Sequence, residues 1–411
     1  MKTKAAIIPN NQNSLENKAW RIMILFLSIN LLFLFQCGSK PKKVERTIDN
    51  GVEVVINRLE PYSLPSEPST LHLDEVLTID SECREVAAAG LAMVDSFYVG
   101  WDGDIYLTAR RSEHSIYRFD RNGKFLTSFG RSGQGPGEFE GGANILNDEG
   151  DRLFAKDIQK DKFFVFNNEG ALLEEVRLEN DVWPIQYLGN QKFLVWRQVQ
   201  DPIEPVFRNF YGIANATLGE VKEFFRSEFE DPIRAPRYKA VRSGLVVGAS
   251  AKNIFFGNAE KGYEILVFDL EGKLVRKIRK AFRPVPVPEE YKTLVRKLLE
   301  GRGSRGLDLI KKMDWPPHLP PFRYLLVDEQ ERLYVMTSER EGERKYWYDI
   351  FTSGGVFINR IMLDNVQVNY FEGQRYDDLP LHVVVKSNRL YCLREKDTGF
   401  KALTVYKMTW E

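Results

Sequence analysis

"FDRNGKFLTSFGRSGQGPGEF", residues 119–139, sets five glycines and a proline between short aromatic and aliphatic runs. A phosphate-cradling loop would run strand, glycines, helix. Here Pro136 interrupts the glycines, and the following "ANILNDEG" carries a strand pattern with no helical one. Asn122–Gly123 instead reads as a hairpin turn of the Asn-Gly type, which needs the positive φ these two residues tolerate. The rest of the stretch then connects the outer strand of one unit to the inner strand of the next. The other GxGxxG match, "GRGSRG" at 301–306, follows a helical pattern and fails the same test. Neither is a nucleotide site.

The scheme recurs along the chain. "DIYLTARRSEHSIYRFDRNGKFLTSFG" from Asp104, "RLFAKDIQKDKFFVFNNEGALLEEVRL" from Arg152 and "NIFFGNAEKGYEILVFDLEGKLVRKIRK" from Asn253 share one plan. Each has a strand, a polar loop, a strand ending near "FD" or "FN", a glycine-bearing turn and a further strand. Copies with longer loops start at Lys192 and Arg332, and a truncated one at Arg389. One more strand with a tight turn precedes each copy. Six units of four antiparallel strands predict an all-β, six-bladed β-propeller. The final unit has three strands of its own. A ring with an open edge invites aggregation, so "EVLTIDSE" (75–82) is expected to close it as an outer strand. "VEVVIN" (52–57) is either a further edge strand or tether.

Two features lie outside the blade pattern. Between blades 4 and 5, residues about 284–321 form a helical insertion. "PEEYKTLVRKLLEG" has Pro288 suited to a first turn and Gly301 as a stop, and Tyr291, Leu294, Val295, Leu298 and Leu299 fall on one apolar stripe. "GLDLIKKM" suggests a shorter helix after it. The N-terminus shows a lysine-bearing leader, then the apolar run "IMILFLSINLLFLF" (22–35), then Cys37. The run suits a secretory signal and is short for a spanning helix. Residues 1–36 are therefore expected to be a signal peptide and 37–70 a tether with an N-terminal strand, leaving 71–411 for the propeller.

"YRFDRNGKFLTSFGRSGQGPGEF" followed by "DRLFAKDIQKDKFFVFNNEG" resembles NHL-repeat propellers. Over about residues 50–411 the chain is similar to bacterial six-bladed β-propeller lipoproteins of the TolB-like superfamily. The cysteine ending the apolar run resembles a bacterial lipoprotein signal, with Gln36 standing where that pattern usually has Gly, Ala or Ser. The resemblance implies acylation of Cys37 and attachment to a cell-envelope membrane. The alternative is an uncleaved short anchor.

Charge and ligand-type residues bound the chemistry. Lys plus Arg and Asp plus Glu both total 58, so no global field favours nucleic acid. Cys83 and Cys392 remain after Cys37, too few for a disulfide scaffold, though they could form one bond. His72, His114, His318 and His382 show no metal-ligand spacing. No cofactor or metal site is therefore expected. Asn144 and His382 are channel candidates, and Asp148 and Asp328 belong at the short-turn end.

The long connections leave on one face, where Arg131, Trp183, Tyr238, Trp315, Phe322 and Arg323 are candidates for binding a ligand or partner. These residues favour a monomeric, non-catalytic binding or scaffold module for an envelope protein, peptide or glycan. The alternative is a divalent-ion-dependent hydrolase or lyase of the NHL or lactonase propeller type.

Overall fold

The computed structural model describes residues 44–411, apart from 66, 83, 111, 158, 179–181, 191, 216–217, 242–245, 343–344 and 365–382. The expected signal peptide, Cys37, Cys83 and His382 lie outside the described residues. The chain is a six-bladed β-propeller. Blades 1 to 5 cover 96–131, 143–177, 183–230, 246–280 and 322–364, and blade 6 covers 383–410 together with an N-terminal strand.

The repeat has a local cause. Asp120 accepts the backbone N–H groups of Asn122 (2.8 Å) and Lys124 (2.9 Å). Asn167 does the same for Glu169 and Ala171, and Asp269 for Glu271 and Lys273. A short polar side chain at the end of the third strand thus satisfies donors that the hairpin leaves unpaired. Gly123, Gly170 and Gly272 follow three residues later, at φ 83°, 86° and 78°. Asn122 is not in that left-handed region, so the turn is a bulged loop with one special glycine rather than an Asn-Gly pair. Each glycine also faces the outer strand of the preceding blade: a Cβ would meet Leu77, Phe129 and Phe224 at 2.5–2.6 Å.

The glycine-rich connection is built to seat one ring. Phe139, 1% exposed, packs between blades 1 and 2 against Phe164. Its N–H donates to the Arg131 carbonyl, and Gly130 lies beneath its ring at φ 71°. Asp157 accepts the N–H groups of Glu140 and Gly141. Ala143–Glu149 is then a strand, as the pattern predicts.

Closure comes from Leu71–Asp80, which pairs antiparallel with Lys401–Trp410, from Leu71 opposite Trp410 to Asp80 opposite Ala402. Ile79 of this strand enters the same core as Phe97 and Leu107 of blade 1 and Leu403 of blade 6. The closing strand begins a few residues earlier than the sequence suggests. Val52–Asn57 is a strand rather than tether, added to the outside of blade 4, where it runs parallel to Leu274–Lys280. Glu45–Asp49 folds back on it antiparallel, making this blade six-stranded. Asn57 fastens the added pair to blade 5, donating to the Gly355 carbonyl and accepting the Phe357 N–H.

Helix α1 (Arg84–Ala88) lies in the connection between blades 6 and 1. The insertion between blades 4 and 5 holds α2 (Glu289–Glu300), with Pro288 as its N-cap, and α3 (Ser304–Lys312). Gly306 presses against the end of α2, where a Cβ would come within 1.7 Å of the Leu299 carbonyl oxygen. Met313–Asp314 then pairs parallel with Tyr238–Lys239 from the connection between blades 3 and 4.

Candidate functional site: the channel and its loop face

Six inner strands surround a channel of about 400 Å³. Period-two alternation sends one set of their side chains to the axis and the other into the cores between blades. The axial set is mostly apolar or aromatic, with Tyr98, Ile185, Val247 and Val384 among it. The inner strands of blades 4 and 5 approach closely at Gly248, where a Cβ would meet the Leu325 carbonyl at 3.2 Å.

Polar groups on the lining are few. The Gln186 side-chain amide donates to the Ala249 carbonyl (2.8 Å) and accepts the Ala249 N–H (3.1 Å), clamping blades 3 and 4 in place of a peptide bond pair. Asn144 lines the channel, as its sequence position suggests. Lys386, the single charged residue of the described lining, donates to the Val99 carbonyl at the short-turn end.

The acids do other work. Asp328 is 4% exposed and accepts N–H groups from Gln330 and Arg332 and the Tyr334 hydroxyl. Burial pushes its carboxyl up, against the pull of those donors. It caps a turn. His72 stands 3.4 Å from Glu411, and the His114 ring meets Ser128. Among the described residues, no three of His, Cys, Asp and Glu converge to hold an ion.

The binding candidates divide. Phe322, 1% exposed, packs edge-on to Tyr263 in the core between blades 4 and 5, so it has no surface to offer. Trp183, 9% exposed, begins the inner strand of blade 3 and is covered by the Lys156 ammonium over its ring. An aromatic residue near a strand end reads the same whether it faces solvent or the neighbouring blade, which is why both were candidates. Arg323 donates to Ser338 and to the Tyr346 hydroxyl (3.1 Å) and lies over the Tyr346 ring, held within blade 5. Arg131 is exposed at the end of the blade 1 outer strand. Tyr238 takes part in the pairing that docks the insertion, opposite Met313, and Trp315 follows directly after it. Trp315 meets Tyr291 edge-on and joins a small separate core of Val241, Val287 and Leu319.

The insertion's apolar stripe splits. Val295 and Leu299 are buried, whereas Leu294 and Leu298 are 53% and 49% exposed. The small docking surface covers only the 291–295–299 row. Sequence reading also missed a buried ionic cluster between blades 4 and 5. Lys280 stands 3.3 Å from Asp349, which also accepts the Tyr263 hydroxyl (2.8 Å) and meets Arg360 (3.1 Å). Burial raises the Asp349 carboxyl and lowers the Lys280 ammonium. These residues are far apart in sequence, and no local pattern pairs them.

Residues 98–241 match the family described as DUF5128, 6-bladed beta-propeller. No curated protein matches the chain. Among solved structures, a candidate exported protein of Bacteroides fragilis is similar with a TM-score of 0.47 and 14% identity, covering 87% of this chain and 99% of its own. Streptogramin B lyase gives 0.38 and 9%, covering 83% and 98%. A Xanthomonas campestris gluconolactonase gives 0.38 and 10%, covering 83% and 100%. None of these similarities carries an argument about chemistry.

Proposed function

We propose that this chain is an exported, lipid-anchored envelope propeller that acts as a non-catalytic binding or scaffold module through its loop-rich channel face. Its partner is an envelope protein, peptide or glycan. The observation that supports this most is the channel of about 400 Å³, whose described lining is almost wholly neutral and whose one cation sits at the far end. Such a recess suits apolar and hydrogen-bonding recognition better than acid–base chemistry. Tyr238 and Trp315, partly exposed beside the insertion, add rigid aromatic contact area of the kind recognition surfaces use. Export and anchoring rest on the apolar run at 22–35 and on Cys37.

Two measurements test the reading. Metal analysis of the purified protein should find no stoichiometric calcium or zinc; a bound ion together with lactone or ester turnover would favour the hydrolase or lyase alternative. Envelope material captured on the protein should be lost when residues 285–318 are replaced by a short Gly-Ser linker. Capture unchanged by that replacement moves the site to other loops. In cells, Cys37→Ser should leave a larger, unacylated precursor, and an unchanged mass would overturn the anchor.

A further inference from the structure

Among the described residues, the loop face carries large apolar side chains that are left exposed. Ile203 is 88% exposed at the tip of the long blade 3 hairpin, and Ile233 is 55% exposed beside it. Arg234 binds the two together, donating to the carbonyls of Asp201, Pro202 and Ile203. Lys312 at the end of α3 donates to the Ile233 carbonyl at 2.8 Å, so the hairpin tip and the insertion lie side by side. On the insertion, Leu294 and Leu298 share one face of α2, and Leu307 on α3 is 49% exposed. Exposed Arg296, Lys297, Arg302 and Arg305 are interleaved with these leucines. Exposed Glu290, Glu300 and Asp308 lie among them, Asp308 paired with Lys311, but on the two helices basic side chains outnumber acidic ones. Exposed large apolar groups on short helices with a basic excess fit a surface that lies in a membrane interface.

The path of the chain points to the same occupant. Glu45 pairs with Ile56, and Ile56 stands beside Arg279. The chain therefore enters the propeller at the end of the blade 4 outer strand from which the insertion leaves, two residues later, at Ala281. Six residues lie between Cys37 and Val44, a reach of about 25 Å when fully extended. If Cys37 carries the anchor proposed above, a tether of that length limits how far this corner of the propeller can move from the bilayer.

We propose that the helical insertion and the blade 3 hairpin tip form a membrane-contact surface that lays the loop face against an anionic lipid bilayer. The leucines and isoleucines enter the headgroup boundary, and the interleaved Arg and Lys side chains meet lipid phosphates. This goes beyond the binding reading and rests on it for the envelope location and the Cys37 anchor, while assigning the insertion on the loop face to lipid rather than to a protein, peptide or glycan.

The test uses residues 44–411, which contain every strand of the ring and its closure, so that no anchor contributes. Flotation is measured with vesicles of phosphatidylcholine alone and of phosphatidylcholine mixed with phosphatidylglycerol. The protein should float with the mixed vesicles and only weakly with the neutral ones. The triple variant Leu294→Ser, Leu298→Ser, Leu307→Ser changes exposed side chains alone and should keep the thermal midpoint while lowering the bound fraction roughly tenfold. Arg302→Glu with Arg305→Glu should remove the preference for anionic vesicles. A parent protein that stays in the aqueous phase, or a serine variant that floats as well as the parent, overturns the proposal. Either result leaves the capture experiment on the channel face standing, so the two readings fail separately.

Discussion

Gly123 of the last blade 1 hairpin rests directly on Leu77 of the strand that closes blade 6: a Cβ on Gly123 would stand 2.5 Å from Leu77 Cδ1. One glycine thus serves a local turn at φ 83° and a contact between segments that join the ring's two ends. Gly123→Ala should destabilise the protein by about 1–2 kcal/mol through left-handed backbone strain, with an added contribution from displacing Leu77. Gly51 supplies the control, with φ 79° and nothing within 4 Å of its Cβ position. Urea midpoints for both variants measure the difference. If Gly51→Ala costs as much, the contact with Leu77 contributes nothing.

The closing strand should matter more than the edge pair added to blade 4. A chain beginning at Arg58 loses the strands at Glu45–Asp49 and Val52–Asn57 but keeps Leu71–Asp80. It should still unfold in one cooperative transition. A chain beginning at Thr78 loses the ladder from Leu71 to Leu77 and bares the edge of Lys401–Trp410, so aggregation is expected. Light scattering during a thermal ramp distinguishes the two. An undiminished midpoint in the shorter chain would mean that blade 6 does not need this strand.

The ionic cluster between blades 4 and 5 is expected to be costly to break and cheap to replace. Asp349→Ala leaves Lys280, whose side chain is 2% exposed, without its carboxylate. Removing one partner of such a buried pair costs about 3–5 kcal/mol. Combining Lys280→Met with Asp349→Leu should recover much of that loss, since Arg360 keeps its contact with Glu339. Chemical denaturation of the single and double variants reads this directly. A double variant as unstable as Asp349→Ala would show that the cluster is required for more than charge balance.

At the end of the closing strand, Lys396 joins Asp80 (2.6 Å) and Glu82. Burial, the largest single influence, would raise the Asp80 carboxyl, but the Lys396 hydrogen bond, the Glu82 backbone N–H and the Lys396 charge together outweigh it, and the folded value lies below the ordinary 3.8. The same contacts raise Lys396 above its ordinary 10.5. Asp80 therefore contributes stability above its unfolded value that is lost as pH falls through the folded one. Lys396 contributes below its unfolded value, and that share is lost as pH rises through its folded one. Lys396→Met should lower the thermal midpoint modestly near neutral pH and make no difference in strong acid, where Asp80 is protonated. A gap that persists unchanged into strong acid would remove Asp80 from the explanation.

The amino-acid sequence alone determined the blade count, where the turns fall and which segment closes the ring. Those features are encoded locally, in alternating strands and in a polar residue three positions ahead of a glycine, as at Asp120–Gly123 and Asp269–Gly272. Tertiary structure decided where Val52–Asn57 docks. Every outer strand offers the same backbone donors and acceptors, and blade 4 is selected by distant partners: Glu53 with Arg276, Asp49 with Lys277, and Asn57 with Gly355 and Phe357. It also decided which apolar groups are covered. Helical periodicity defines a face for Leu294, Val295, Leu298 and Leu299, but the width of the neighbouring surface sets how much of that face is buried. Phe322 and Trp183 went inward for the same reason, because the adjacent blade supplied the packing partner that no local pattern could name.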